Sequence, residues 1–414
     1  MITYCTPIND WLTYVGVNDR LKPLFENQWP LPQGVCYNAY LARDEKTALL
    51  DSVDVHEAED FLSKLQTALG DRKLDYFVIH HVEPDHSSTI PFIRRIYPDV
   101  TLVGNKKTFE FLGNFYGVDT ENKIIVAEGD TLSLGEHTLT FRMTPMTHWP
   151  ESMVSYENKD GILFSQDIFG GFGALDGNIF DDEIGDIEKV YAEACRYYTN
   201  IVGKYSRMAA KSLKKLEDLD IKMICPVHGP VWRSHPENIL TLYNNLASHK
   251  AQNGVVIAFG SMYGNTEKMA DLLARFLSEA GVRNIRLYDV TKTHPSLIST
   301  EIWKYRGFIA CAPTYNNALF LPMRNLLAIL SENKMQNKSM GIVGNYSWSG
   351  GAVKEMLAWR ESQPFEAVDP VIEVRSAAKP EDLEQLRALA KAMADNLASH
   401  ADTDDFHYYS HIGE

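Results

Sequence analysis

The sequence has few cysteines, and they are not arranged in pairs. Its 414 residues include five cysteines scattered along the chain, with no C-x-x-C motif. An odd, widely spaced set of this kind does not make a disulfide framework, and it cannot form a zinc or iron site from cysteine alone. Free thiols are typical of a reducing compartment, so we expect a cytoplasmic protein.

Positive charge and long apolar runs are also scarce. There are 40 Lys and Arg against 55 Asp and Glu, which gives a net charge of −15. Without a basic cluster, such a chain repels nucleic-acid phosphates. No stretch reaches the ~18 consecutive apolar residues that a membrane span needs. The first residues also lack the pattern of a signal peptide, in which a basic segment is followed by an apolar one. We therefore expect no nucleic-acid partner, no membrane span and no signal peptide.

The predicted pattern of strands and helices changes near residue 250. Before about residue 250, short β-rich runs such as DYFVIH and ILFSQD outnumber the amphipathic helical patterns. From Gly254 onward, strand-like runs such as VVIAFG and GFIACA alternate regularly with helical segments, as in a doubly wound parallel α/β sheet. We predict one domain over residues 1–250, a second over 251–400, and a C-terminal tail over 401–414.

A dense group of metal-ligating side chains follows the strand-like run DYFVI. His81, Glu83, Asp85 and His86 lie within six positions. Alternation along an extended segment would place the first three on one side of the chain. If this segment is considered alone, an exposed charged loop is the alternative to a metal site. The side chain of His80 should point away from that of His81, so we predict a core or supporting role for it.

Three further potential ligands, His148, Asp167 and His228, each follow an apolar strand-like run. All of them would therefore reach the same edge of the sheet structure. Their order and spacing resemble the metallo-β-lactamase fold, in which H-x-H-x-D-H is followed by a His, an Asp and a last His. The resemblance implies an αβ/βα domain for residues 1–250, with two mixed β-sheets sandwiched between helices.

Glu83 stands where the hydrolases of that fold have their second histidine. A site of four imidazoles and three carboxylates, without thiolate, is hard and anionic, which suits iron that cycles between Fe(II) and Fe(III). Zinc has no such redox chemistry. The resemblance thus implies two non-haem irons, one held by His81, Glu83 and His148, the other by Asp85, His86 and His228, with Asp167 bridging them.

Three polar loops in the second half follow parallel strands. Backbone N–H groups of the first loop, and the helix that it begins, can bind a phosphate. A helix cap is the alternative for that loop alone. Because the loops lack G-x-G-x-x-G and GK[ST], they indicate a nucleotide monophosphate, and FMN fits the crevice of the flavodoxin strand order 2-1-3-4-5. The candidate residues are Ser261, Met262, Tyr263, Gly264, Asn265, Thr266, Pro313, Thr314, Tyr315, Asn316, Asn317, Asn345, Tyr346, Ser347, Trp348, Ser349 and Gly350.

The loops PTYNN and NYSWSGG resemble those of the flavodiiron proteins, also called A-type flavoproteins. A metallo-β-lactamase-like diiron domain followed by a flavodoxin-like domain is the arrangement of that family, and the resemblance spans nearly all of the chain. It implies that Trp348 or Tyr315 lies near the isoalloxazine ring. A buried core position is the alternative for Trp348, although its Ser and Gly neighbours are poorly suited to a core. The resemblance also implies that each chain binds one FMN and two irons. The implied reaction is the reduction of dioxygen to water or of nitric oxide to nitrous oxide. We favour dioxygen.

Two other functions fit parts of the sequence. A metal-dependent hydrolase with an appended flavodoxin is one, but Glu83 argues against it. An electron carrier with a decayed first domain is the other, but all seven metal donors are present. Tyr197 and Tyr198 could hydrogen-bond a bound oxygen species, yet their helical spacing is more typical of core residues.

The resemblance also implies partners. The sequence carries no rubredoxin-like module, so we expect a separate electron donor, either a rubredoxin-like protein or a flavin/NAD(P)H reductase. Compact domains of these sizes have radii of gyration near ~18 and ~15 Å, so two sites in side-by-side domains of one chain could lie ~30 Å apart. That is too far for fast electron transfer. The family solves this with a head-to-tail homodimer, and we expect such a dimer or a tetramer here.

Overall fold

The computed structural model describes residues 3–118, 121–401 and 407–409. The described residues divide into two compact units. One unit runs to Tyr198 and includes Arg207–Asn244, and the other combines Thr199–Ser206 with the residues from Asn245 on. Within these ranges no helix has both the length and the apolar character of a membrane span. Most of the tail predicted over 401–414 lies outside the described residues.

The first unit contains sixteen short strands. Their bounds are β1 (Thr6–Pro7), β2 (Leu12–Tyr14), β3 (Val17–Asp19), β4 (Leu24–Phe25), β5 (Trp29–Pro30), β6 (Val35–Tyr37), β7 (Tyr40–Arg43), β8 (Thr47–Leu50), β9 (Tyr76–Val78), β10 (Thr101–Gly104), β11 (Lys123–Ile125), β12 (Thr131–Ser133), β13 (Thr138–Met143), β14 (Met153–Glu157), β15 (Ile162–Gln166) and β16 (Met223–Pro226). Most of these strands, such as β6, β8, β14 and β15, are buried and have apolar sequences, whereas β1, β11 and β12 are largely exposed or half-buried.

Two mixed sheets form the frame of this unit. One has the order β1-β2-β7-β8-β9-β10-β11, antiparallel up to β8 and parallel beyond it. The other has the order β12-β13-β14-β15-β16, with only its last pair parallel. Apolar residues of both sheets, such as Leu50, Val78, Phe141 and Phe164, share one core. The fold therefore confirms the predicted metallo-β-lactamase-like architecture.

Seven α-helices of the described residues lie wholly or mainly in the same unit. They are α1 (Ala58–Leu69), α2 (Pro84–Ser87), α3 (Ile90–Ile96), α4 (Lys106–Tyr116), α5 (Ile187–Tyr197), α6 (Ser206–Lys214) and α7 (Pro236–Ala247). Helix α5 ends at Tyr197, and the backbone from there to α6 is not regular α-helix. A π-helical turn over Tyr198–Val202 comes first, and a 3-10 turn over Gly203–Tyr205 precedes α6.

The second unit is built on a parallel sheet. Its strands are β17 (Gln252–Phe259), β18 (Ile285–Asp289), β19 (Tyr305–Tyr315), β20 (Ala318–Leu319), β21 (Lys338–Tyr346), β22 (Phe365–Ala367) and β23 (Ile372–Arg375). The order is β18-β17-β19-β21-β22, with β23 also paired to β21. This is the flavodoxin order 2-1-3-4-5, and it confirms the predicted doubly wound sheet.

Five helices surround this sheet: α8 (Asn265–Glu279), α9 (Pro295–Lys304), α10 (Leu321–Asn333), α11 (Ala352–Glu361) and α12 (Pro380–Ser399). Apolar residues of α8 and α12 pack with the central strands into one core. The part of the tail that is described is anchored here. Tyr408 is buried, and its hydroxyl donates a hydrogen bond to the carbonyl of Lys250.

Candidate metal centre and cofactor site

The first four candidate ligands lie on the segment that follows strand β9 and forms helix α2. His81 follows the end of β9, Glu83 caps α2, and Asp85 and His86 lie within it. The extended alternation that we expected through Asp85 therefore ends at Glu83. Pro84 occupies the first helical position, where its fixed φ favours the start of a helix.

The other three candidate ligands come from separate segments of the same unit. His148 lies in the connection between β13 and β14, Asp167 follows β15, and His228 follows β16. In the parallel pair β15 and β16, Gln166 is paired with Pro226. Asp167 and His228 consequently leave the sheet at the same end, as the sequence predicted.

One group of donors consists of His81, Glu83, His148 and Asp167, all buried. His148 Nε2 lies 2.9 Å from Glu83 Oε2 and 3.5 Å from Asp167 Oδ2. His81 Nε2 lies 3.3 Å from Glu83 Oε2 and 3.1 Å from Asp167 Oδ2. Two imidazole nitrogens and two carboxylate oxygens thus converge on a single point, which is the geometry of a metal-binding site.

The second group consists of Asp85, His86 and His228. The Nε2 atoms of the two histidines are 3.0 Å apart, and Asp85 Oδ2 lies 3.3 Å from the first and 3.4 Å from the second. Asp167 Oδ1 lies 3.6 Å from His86 Nε2 and 3.7 Å from His228 Nε2. The two oxygens of Asp167 therefore face different groups, as a bridging carboxylate would.

Two of the imidazoles are oriented by acceptors on the side away from the cluster. His81 Nδ1 donates to Glu151 Oε1 at 2.7 Å, and His228 Nδ1 donates to the carbonyl of Cys36 at 2.8 Å. A histidine that donates through Nδ1 keeps the lone pair of Nε2 for a metal. Sequence reasoning missed Glu151, although it stands three residues after His148.

Gln166 connects the bridging aspartate to the loop of His148. Its side-chain oxygen accepts a hydrogen bond from the backbone N–H of Asp167, and its side-chain nitrogen donates to the carbonyl of Thr147, both at 2.7 Å. Gln166 also has a φ of 48°, in the left-handed region that non-glycine residues seldom adopt. The strand end is thus held in a conformation that directs Asp167 into the cluster.

His80 supports the site without entering it. Its Nδ1 donates to Asp51 Oδ2 at 2.7 Å, and its Nε2 accepts from the hydroxyl of Ser155 at 2.8 Å. All three side chains are buried. Although the residue types are those of a hydrolytic triad, Ser155 has no exposed surface for a substrate to reach. His80 therefore has the supporting role predicted for it.

Several buried polar atoms of the cluster have no hydrogen-bond partner among the described residues. They include both carboxylate oxygens of Asp85 and of Asp167. Buried carboxylates without partners are costly unless they are paired or bind a cation. Two such residues between imidazoles fit a pair of hard metal ions, and the absence of thiolate ligands fits iron.

The ionisation of these groups agrees with a cation site. Burial would raise the pKa of Asp167, but the imidazoles of His81 and His86 hold that pKa well below its usual range. Burial would lower the pKa of His86, yet Asp85 and Asp167 raise it to about 9. Asp167 is therefore anionic, and it attracts positive charge into the cluster.

Tyr197 and Tyr198 are both buried, in agreement with the core role favoured by their spacing. Tyr197 also adjoins the site, because its ring centroid lies 5.5 Å from that of His228. Its hydroxyl has no hydrogen-bond partner among the described residues. Burial and the carboxylates of the cluster raise its pKa well above the usual range, so the hydroxyl keeps its proton.

In the second unit, the three predicted loops line one cavity of about 270 Å³. The loops follow β17, β19 and β21, and α8 begins beside them at Asn265. Every candidate residue of these loops lines the cavity except Gly264 and Gly350. Gly264 is instead the N-cap of α8, with a φ of 89°, and its N–H donates to Ser261 Oγ. The crevice and the helix start fit the phosphate and ring of FMN.

Two details explain how the loops are held together. Asn316 and Asn317 both have positive φ, 51° and 59°, and form the tight turn between β19 and β20. A Cβ atom on Gly351 would lie 2.3 Å from the carbonyl oxygen of Asn317, so only glycine permits this approach of the two loops. Trp348 is 87% exposed, which excludes a core role for it.

Comparison with known proteins identifies both parts of the chain. Residues 35–229 match the family described as ODP family beta lactamase, and residues 257–389 match Flavodoxin. A nitric oxide reductase of Moorella thermoacetica is 32% identical over 395 residues, 94% of this chain and 98% of that protein.

Two solved structures are similar over almost their full length. The rubredoxin oxygen:oxidoreductase of Desulfovibrio gigas has a TM-score of 0.91 and 31% identity, covering 96% of this chain and 99% of that one. The flavodiiron protein of Giardia intestinalis has a TM-score of 0.93 and 26% identity, covering 98% and 99%.

Proposed function

This chain belongs to the flavodiiron proteins, and from that membership we propose that it reduces dioxygen to water with electrons passed through FMN to two non-haem irons. FMN and a diiron centre are the cofactors of this family of oxidoreductases. We assign the first iron to His81, Glu83 and His148, the second to Asp85, His86 and His228, and the bridge to Asp167.

One observation carries the proposal. The carboxylate of Asp167 has one oxygen within 3.5 Å of His81 and His148, and its other oxygen lies 3.6 and 3.7 Å from His86 and His228. A reaction that needs several electrons at one place is favoured by two adjacent metals. The similarity to the Desulfovibrio gigas oxidoreductase, whose name refers to oxygen, supports dioxygen as the acceptor.

When bound, the flavin and the irons supply one-electron redox chemistry. The protein's own residues supply orientation, charge and protons. Glu151 and the carbonyl of Cys36 fix the rings of His81 and His228 so that each Nε2 faces the cluster. Burial of the ligands keeps bulk water away from them. Tyr197 retains a hydroxyl proton next to His228, available for donation to a substrate oxygen.

Nitric oxide is the alternative substrate, and a specific observation favours it. The Moorella thermoacetica relative, which is similar to this chain over nearly its whole length, is named a nitric oxide reductase. Two nitric oxide molecules with two electrons and two protons would give nitrous oxide and water. Dioxygen with four electrons and four protons would give two waters.

Steady-state consumption of each gas by the reduced protein tests the choice. The protein is supplied with excess artificial electron donor, and gas electrodes record dioxygen or nitric oxide in separate runs. We expect faster turnover with dioxygen at equal concentrations. A higher kcat/KM for nitric oxide would reverse the assignment.

The partners and location are part of the same proposal. We propose a separate electron donor, rubredoxin-like or a flavin/NAD(P)H reductase, and a head-to-tail homodimer or tetramer that brings FMN of one protomer to the irons of its partner. A cytoplasmic location is supported by five free cysteines. We retain 1–250 and 251–400 as the functional domains.

A further inference from the structure

A cavity of about 360 Å³ lies beside the proposed metal ligands in the first unit. Its charged lining residues are Lys22, Glu26, Asp54, Glu83 and Asp85. The lining lies entirely within the described residues, and Lys22 is its only cation. Since Glu83 and Asp85 are assigned to different irons, this cavity gives Lys22 access to the space beside both of them.

Lys22 is held in place by two hydrogen bonds. Its Nζ donates to Asp54 Oδ2 at 2.7 Å and to the hydroxyl of Tyr37 at 2.8 Å. The ring of Tyr37 in turn packs edge-on against that of His86, with centroids 6.1 Å apart. The ammonium is therefore fixed at the wall of the cavity rather than free in solvent.

Asp54 connects Lys22 to the protein surface. Its Oδ1 lies 2.7 Å from His56 Nδ1, and it also accepts from the backbone N–H of His56 at 3.0 Å. The side chain of Asp54 is 10% exposed, whereas that of His56 is 80% exposed. A continuous hydrogen-bonded path thus runs from an imidazole in solvent, through a shielded carboxylate, to an ammonium at the cavity.

The surrounding charges keep this path in a usable state. Burial would raise the pKa of Asp54, but the hydrogen bonds from Lys22 and from the N–H of His56 lower it, so Asp54 is a carboxylate that can accept a proton. Burial raises the pKa of Tyr37, which stays protonated. Asp19 Oδ1 accepts a hydrogen bond from the backbone N–H of Lys22.

We propose that Lys22 delivers protons to the substrate in this cavity, and that Asp54 and His56 return protons to Lys22 from solvent. The inference rests on the proposed function, because reduction of either gas consumes protons. Asp54 and His56 act through Lys22 and are positioning residues.

Each transfer balances. Lys22 Nζ releases one proton to a reduced oxygen of the substrate and becomes a neutral amine. Protonated His56 gives its Nδ1 proton to Oδ1 of Asp54, rotation of the carboxyl group then presents that same proton to the amine of Lys22, and His56 is reprotonated from water. The path carries no electrons, which come from the external donor. The return is favourable overall because an imidazolium is a stronger acid than an ammonium.

The test compares variants that separate charge from proton release. Lys22→Arg keeps a cation beside Asp54 but cannot release its proton, whereas Lys22→Met removes both. His56→Gln changes only an exposed side chain. Lys46→Met removes a lysine of the same unit that pairs with Asp75 at 3.6 Å and is 54% exposed, and it serves as the control.

Single-turnover oxidation of the fully reduced protein is recorded with each gas, in H₂O and in D₂O. We expect Lys22→Arg and Lys22→Met to be slowed at least about tenfold, with a larger solvent isotope effect, and His56→Gln to be slowed less. Lys46→Met should match the unaltered protein. A Lys22→Arg rate and isotope effect equal to those of the unaltered protein would overturn the proposal.

A second readout does not depend on turnover. In metal-free protein with ¹⁵N-labelled lysine side chains, exchange of the Lys22 ammonium hydrogens with water is measured by NMR. We expect His56→Gln to slow this exchange several-fold, and an unchanged rate contradicts the path. Failure of the unaltered protein to consume dioxygen would instead refute the proposed substrate, while nitric oxide and the exchange measurement would still test Lys22.

Discussion

His81 Nδ1 lies 2.7 Å from Glu151 Oε1, and neither side chain has exposed surface. The same carboxylate oxygen accepts the backbone N–H of Val82 at 2.9 Å. Glu151 therefore fixes both the ring of His81 and the backbone beside it. The negative charge of Glu151 also strengthens His81 as a ligand, because an anionic acceptor at Nδ1 increases electron density at Nε2.

Glu151→Ala should weaken iron binding while leaving all seven proposed ligands present. Loss of such an outer partner typically costs about 10–100-fold in metal affinity. Glu151→Gln keeps an acceptor for His81 but removes the charge, so its loss should be smaller. Iron retained after dialysis against a graded chelator series measures the effect.

Glu136→Ala is the matched control, because Glu136 is a 72% exposed glutamate of the same unit that pairs with the surface residue Lys159. It should retain iron like the unaltered protein. Equal iron retention in Glu151→Ala would mean that the contact with His81 does not support the metal site.

Gly351→Ala should weaken FMN binding. The added Cβ would lie 2.3 Å from the carbonyl oxygen of Asn317, so the loops after β19 and β21 must separate. Backbone strain is not involved, because the φ of Gly351 is −176°. We expect a loss of at least about tenfold in affinity, equivalent to ~1.4 kcal/mol. Quenching of FMN fluorescence by the flavin-free protein measures it.

Gly350→Ala provides the control for this variant. The atoms nearest to a Cβ at Gly350 would be those of the carboxylate end of Glu373, at 2.8 Å, and that exposed, flexible side chain can move aside. Its FMN affinity should stay close to that of the unaltered protein. Equal losses in the two glycine variants would contradict the role given to the approach of the loops.

His249→Phe should reduce the sensitivity of stability to acid. His249 is stacked on Trp303 at 4.6 Å, and burial together with the charge of Lys338 lowers its pKa to about 4. In the unfolded chain His249 would take up a proton near pH 6.5, whereas in the folded protein it stays neutral down to about pH 4. The folded state is therefore stabilised by neutral His249 above pH 6.5, and this stabilisation is lost as the pH falls towards 4.

Between pH 6.5 and pH 4, protonation linked to His249 should lower the free energy of unfolding by up to about 3 kcal/mol. Urea unfolding of both proteins at pH 7, 6, 5 and 4 measures it. The difference in free energy of unfolding should shift in favour of His249→Phe as the pH falls. A constant difference across this range would show that His249 does not titrate as described.

Complementation between defective protomers should reveal electron transfer across the proposed dimer. His148→Ala removes a proposed iron ligand, and Asn265→Asp places a carboxylate where the phosphate of FMN is expected. Each homodimer should be inactive, but a mixed dimer retains one complete pair of sites. Partial recovery of gas reduction supports the head-to-tail arrangement. If mixed dimers form and remain inactive, transfer occurs within one chain.

The sequence predicted much of the site because of where its polar residues stand. His148, Asp167 and His228 each follow an apolar run, and strand ends in a shared sheet converge whatever the detailed packing. The register of β15 and β16 brings Asp167 and His228 to one end. The strand order of the second unit followed in the same way from regular alternation.

Other features were not predictable because they depend on tertiary contacts. Glu151 belongs to no periodic pattern, and only the folded loop brings it to His81. The start of α2 at Pro84 ended the alternation expected through Asp85. Tyr197 has the spacing of a core residue and is one, yet its neighbour in the core is His228. Helical periodicity cannot distinguish these two environments.

Metal and flavin content of the protein purified from iron-replete cells tests the central claim most directly. Elemental analysis and the flavin absorption spectrum are read on the same sample. Four imidazoles, three carboxylates and no thiolate predict two irons per chain, and the cavity formed by the three loops predicts one FMN. Zinc in place of iron, with or without flavin, would contradict the account and favour a hydrolytic site instead.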